Sequence, residues 1–148
     1  MVGNPVSSHN MVVEGTVKAL IRYGFEVHRE YRVYYWVTDA GKPRRRQIRL
    51  DVVGICSNAR TCSNMVVVVE VETEYMDYTL IDRLRIAVES MRPKPTHIFI
   101  VTWRVLTYKE IIDIAIKNNV LRPGSTELYI VNSVQQLEEI LKQLLQNR

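Results

Sequence analysis

The run Met65-Val66-Val67-Val68-Val69 is the longest aliphatic run of this chain. It is far shorter than the ~20 residues of a bilayer-spanning helix, and its β-branched side chains favour extended backbone. It therefore reads as a buried strand. Its neighbours carry periods of their own. Met1–Asn10 is polar and reads as a flexible N-terminus, with Ser8 or Asn10 available to cap a helix. Met11–Tyr23 places Val13, Val17, Leu20 and Ile21 at helical spacing, and Gly24 is a good stop. Phe25–Thr38 is rich in aromatic and β-branched residues and predicts a long strand, turned by Asp39-Ala40-Gly41-Lys42-Pro43 into a second, Arg44–Ile55. Met65–Glu74 is the third strand. A helix follows over Asp77–Met91, ended by Pro93 and Pro95, and then a strand over Thr96–Thr102. A helix over Tyr108–Asn119, a strand over Glu127–Val131 and a last helix capped by Ser133 complete the chain. A meander followed by alternating helices and strands predicts an α/β fold. Its mixed central sheet would have about five strands, with helices on both faces. No linker is long enough to split residues 11–148, which read as a single domain.

The chemistry lies where two of these strands turn acidic. Asp51 closes the apolar part of the second strand, and Glu70-Val71-Glu72 ends the third. Alternation puts Glu70 and Glu72 on one face, ~7 Å apart. An antiparallel hairpin through Ser57–Asn64 brings Asp51 next to Glu70 or one pair away. Carboxylates converging on an apolar sheet raise one another's pKa, a cost that a divalent cation removes. Hard oxygen donors suit Mg²⁺, or Mn²⁺ in its place.

A second feature is basic and aromatic. Arg29, Arg32, Lys42, Arg44, Arg45, Arg46 and Arg49 line the first hairpin, interleaved with Tyr31, Tyr34, Tyr35 and Trp36. Arginines neutralise phosphates, and aromatic faces stack on unpaired bases. Tyr34, Tyr35 and Trp36 are consecutive, so they cannot all share one face, and at least one belongs in the core. The net charge of +4 agrees with an anionic partner, nucleic acid above all.

The remaining signals are mostly exclusions. No basic segment followed by an apolar one opens the chain, so a cytoplasmic protein is expected, with no membrane partner. His9, His28 and His97 are scattered and form no visible triad. Cys56 and Cys62 lack a second pair at zinc-ligand spacing; two free thiols or a disulfide clipping the loop between them both remain open. Leu137, Ile140, Leu141, Leu144 and Leu145 give the last helix an apolar side that suits its own domain or a homodimer seam.

The αβββαβ order, with Glu14 in the first helix, Asp51 on the second strand and Glu70 and Glu72 on the third, resembles the PD-(D/E)XK nuclease superfamily. Within it, Glu14 followed by Tyr23-Gly24-Phe25-Glu26-Val27-His28-Arg29 looks like the opening of archaeal Holliday-junction resolvases and related small nucleases. The resemblance covers residues 11–102. It implies a restriction-endonuclease-like core with a C-terminal αβα addition. It also implies metal-dependent hydrolysis of DNA phosphodiester bonds, with branched or single-stranded forms among the candidate substrates. Asp51, Glu70, Glu72 and Glu14 would be the catalytic residues. The metal would sit on Asp51, Glu70, the carbonyl of Val71 and Glu72. Nucleic acid would meet Arg32, Tyr34, Trp36, Arg44, Arg45, Arg46, Arg49 and Arg83. Arg49, expected on the face of Asp51, is a candidate for the auxiliary cation, as are Arg83 and Arg85. Resolvase-like nucleases commonly dimerise, so a homodimer is implied too. Two departures from the family pattern are Leu50 where a Pro is usual and Glu72 where a Lys is usual. The second leaves an alternative, a catalytically inactive protein of the same fold that binds single-stranded DNA or RNA.

Overall fold

The computed structural model describes residues 5–62, 64–72, 78–103 and 126–146. A five-stranded sheet in the order β1-β2-β3-β4-β5 organises them. The strands are β1 (Phe25–Asp39), β2 (Lys42–Cys56), β3 (Val66–Glu72), β4 (His97–Thr102) and β5 (Glu127–Val131). The first three are antiparallel neighbours, whereas β3, β4 and β5 run parallel. The sheet is thus mixed, as the order of elements predicts. The helices are α1 (Pro5–Arg22), a single turn α2 (Ala59–Cys62), α3 (Tyr78–Ser90) and α4 (Val134–Gln146). The helix expected over Tyr108–Asn119 lies outside the described residues.

Burial explains the layering. Val66, Val67, Val68 and Val69 are all buried, so β3 needs cover on both faces. Val66 and Val68 pack with Leu80, Leu84 and Ala87 of α3. Val67 and Val69 pack on the opposite side with Val13, Val17 and Leu20 of α1 and Leu137 and Leu141 of α4. The α4 leucines therefore serve the core of their own domain. None of the described helices is long and apolar enough to cross a membrane.

Three sequence expectations change. The first helix begins at Pro5 rather than Met11, because Pro in the first turn of a helix has no N–H to lose. Residues 5–10 are therefore helical, not a loose terminus. Ile21 is 58% exposed, because buried Thr16 and Leu20 turn the inward stripe away from it. Residues 59–62 form the short α2 within the loop after β2, and Cys56 and Cys62 are joined by a disulfide. The bend from α1 into β1 is made by Gly24 at φ +93°, and the Ser57 hydroxyl donates to its carbonyl at 2.7 Å.

The β1–β2 hairpin reverses its faces halfway along. Its register runs through Arg29↔Val52 and Tyr31↔Leu50 but skips Glu30 and Asp51, and Glu30 has φ +48°. Below this point Val27 and Val52 face α1. Above it Tyr31, Val33, Tyr35, Ile48 and Leu50 face α3. Residues two apart in a regular strand share a face, so the Glu30/Asp51 pair is a break in the alternation. It turns Asp51 out of the ordinary strand pattern.

Candidate active site

The β2–β3 ladder ends at Val52↔Val69, one step before Asp51 and Glu70. Beyond it, the Val71 N–H donates to Asp51 Oδ2 at 2.8 Å. A side-chain carboxylate thus takes the bond that a backbone carbonyl would accept in a continuing ladder. That wedge places Asp51 beside Glu70, as the hairpin argument expects. The same oxygen lies 3.4 Å from His9 Nε2, contributed by α1.

Glu70 is 2% exposed, near the end of β3, and its Oε1 is buried without a hydrogen-bond partner. Burial holds its carboxyl well above the usual range. Asp51 and Glu72 add to this, and Arg83 of α3 opposes it. Arg83 Nη2 lies 3.5 Å from Glu70 Oε2 and 3.2 Å from Glu72 Oε1. Glu70 and Glu72 therefore do share a face, as the alternation predicts, and one guanidinium serves both.

The other expected residues are placed as follows. Glu14 makes a bidentate pair with Arg29, 2.8 Å at each oxygen, and this pair holds its carboxyl low. The α1 residue in contact with Asp51 is His9 instead. His9 is four residues before Val13, and only the helix start at Pro5 puts it on the same stripe of α1. Arg49 is exposed and stands opposite Arg32 in the hairpin register. Arg85 pairs with Asp82 and Glu89 on the outer side of α3.

The basic and aromatic set divides between the hairpin's two faces. Arg32, Tyr34 and Trp36 alternate on one face of β1, opposite Arg49, Gln47 and Arg45 of β2. All six are exposed. Arg44 and Arg46 stand opposite Val37 and Tyr35 on the other face, and Arg44 reaches Asp39 at 3.3 Å. Tyr35 is the core member of the aromatic triplet, packed against the α3 cluster.

The donor chemistry of Asp51 and Glu70 fits a hard divalent cation. A buried carboxylate oxygen without a partner, beside a second carboxylate, is in deficit of positive charge. The Val71 carbonyl is a third oxygen on the same strand. Among the described residues no group of three or more His, Cys, Asp or Glu side chains is arranged to hold a metal, so these two side chains and a backbone oxygen are the set available. Glu72 is turned to Arg83. His97 lies three pairs along β3–β4 from Glu70 and is bound to Thr96 Oγ1 at 2.8 Å and Glu127 at 3.2 Å, away from this site. Comparison of the chain with models of protein families, with curated proteins and with solved structures finds no match in any of the three.

Proposed function

We propose that this protein is a Mg²⁺- or Mn²⁺-dependent nuclease that hydrolyses phosphodiester bonds in DNA, on a restriction-endonuclease-like core. The observation that carries this reading is buried Glu70 beside the half-buried Asp51 at the point where β2 and β3 part, with Glu70 Oε1 unpartnered. Asp51, Glu70 and the Val71 carbonyl would hold the cation. Bound there, it supplies Lewis acidity for water activation and compensates charge building on the phosphate. Arg83 adds a fixed positive charge on the α3 side, where the family pattern has a lysine on the strand. Glu72, held by Arg83, would orient a water. His9 fixes Asp51 from the α1 side. A homodimer would set two such sites against a two-stranded substrate. Its seam would lie elsewhere than Leu137 and Leu141, which are fully buried in their own domain.

The test is cleavage of end-labelled DNA with and without Mn²⁺. Cleavage is expected to need the cation and to fall more than about 100-fold in Asp51→Asn, since even indirect supports of a metal site contribute 10- to 100-fold. Cleavage that survives in that variant would reject the site.

One observation favours a second reading. The position where the family has a lysine holds Glu72, and that residue is drawn into an ion pair. A protein of the same fold that binds single-stranded DNA or RNA without cutting it would show salt-sensitive binding and no turnover.

A further inference from the structure

We infer that the outer face of the β1–β2 hairpin is a stacking platform for an unpaired nucleic-acid strand, centred on Trp36. The inference rests on the nucleic-acid reading above and adds which form of substrate the protein takes and where it is held.

The face is defined by register, not by composition. Above the reversal at Glu30/Asp51, the side of the hairpin turned to α3 is packed with Tyr31, Val33, Tyr35 and Ile48. The opposite side carries Arg32, Tyr34, Trp36 and Thr38, facing Arg49, Gln47, Arg45 and Pro43. These register positions hold three cations and no acid. All eight residues are exposed, Trp36 by 69% and Tyr34 by 45%. The Arg45 guanidinium lies 3.9 Å over the Tyr34 ring, which holds a cation beside the open indole.

An exposed Trp and Tyr between three arginines match the chemistry of a flexible polyanion with flat aromatic groups. Arginine fits its phosphates, and the indole fits a base. A duplex offers the phosphates but keeps its bases stacked inside, so it would leave Trp36 without a partner. An unpaired strand uses both. Arg32 and Tyr34 also line a cleft of about 250 Å³ between β1 and the end of α3, where Arg92 adds a further cation. A strand lying on the face thus has a continuation around the edge of the sheet.

The platform is offset from the acidic site. Trp36 is six residues along β1 from Glu30, the residue opposite Asp51, or ~20 Å at the rise of a strand. A substrate gripped at Trp36 and cut at Asp51 therefore has an unpaired segment at some distance from the scissile bond.

The experiment uses the full chain carrying Asp51→Asn, without divalent cation, and fluorescence anisotropy of two labelled probes, a mixed-sequence single-stranded DNA and its duplex. The single strand is expected to bind more tightly and to quench Trp fluorescence. Adding Trp36→Ala is expected to weaken the single strand about fivefold or more and to leave the duplex nearly unchanged. Trp36→Phe is expected to restore part of the loss, which separates stacking from misfolding. Equal binding of both probes, or a Trp36→Ala variant that holds the single strand like its parent, would overturn the inference. So would the absence of any nucleic-acid binding, with the face then left to an acidic protein partner. The nuclease reading fails separately, if the unsubstituted chain does not cut DNA with Mn²⁺ whatever Trp36 does.

Discussion

Glu70 is the residue whose environment has the clearest measurable consequence. In the metal-free protein burial, and after it Asp51, raises its carboxyl well above the ordinary range, whereas in the unfolded chain it titrates normally. Above the ordinary carboxylate range the folded state then binds more protons than the unfolded state, so stability falls as pH rises through that window. Glu70→Gln removes this dependence. Urea unfolding in EDTA from pH 4 to about 8 should show a downward trend in the wild type that is flatter in Glu70→Gln. The same substitution should abolish stabilisation by Mn²⁺, because a ligand that binds only the folded state raises its stability. Equal slopes in the two proteins would mean that Glu70 is ionised and compensated. Arg83 is coupled to it. Arg83→Ala leaves Glu70 and Glu72 without their shared cation and should cost about 1–2 kcal/mol in urea unfolding. That is less than for a fully buried pair, because Arg83 is 26% exposed and Glu70 can take up a proton. His9 shows why one member of the site was hidden in the sequence. Starting the first helix at Met11 leaves His9 outside it, and only a helix from Pro5 brings it onto the stripe of Val13, Val17 and Leu20.

At the scale of elements, the hairpin and the helix-to-strand turn each make a prediction. The disulfide between Cys56 and Cys62 closes a short loop over α2, with a sequence separation of 6. Chain-entropy arguments give such a loop about 2 kcal/mol, so reduction or the Cys56→Ser/Cys62→Ser pair should lower urea-unfolding stability by that order. Gly24, beside it, is held at φ +93°, and a Cβ there would meet Thr61 Oγ1 at 2.6 Å. Gly24→Ala should cost about 1–2 kcal/mol by the same measurement. On the hairpin, each arginine of the open face that meets a phosphate contributes about 0.7 to the salt slope of single-strand binding. Arg45→Ala and Arg49→Ala should each reduce the slope by about that amount, whereas Arg44→Ala, on the opposite face and next to Asp39, should change it less. The strands themselves were legible, because Phe25–Thr38 and Met65–Val69 combine β-branched and aromatic residues with clear turn signals. The face reversal was not. A positive φ at Glu30 has no signature in residue type, and without it the arginines divide wrongly between the faces.

On the scale of the whole molecule, the fold brings together residues from four elements: His9 on α1, Asp51 on β2, Glu70 and Glu72 on β3, and Arg83 on α3. The buried run of β3 explains why this is possible. A strand covered on both faces carries its terminal acids to the junction of two helical layers, so each layer supplies one basic side chain. The Asp51–Glu70 contact was legible from the hairpin alone, because antiparallel register leaves little choice once the loop is short. The pairing of Glu14 with Arg29 was not, because it depends on which side chain of β1 meets α1. On the proposed reading, Asp51 and Glu70 hold a divalent cation that serves phosphodiester hydrolysis. The most direct test is calorimetric titration of Mn²⁺ into the wild type and Asp51→Asn, with DNA cleavage assayed on the same samples. Binding and cleavage are expected in the wild type, and the loss of both in the variant. No binding heat in the wild type, with or without DNA, or cleavage that persists in Asp51→Asn, would contradict that reading.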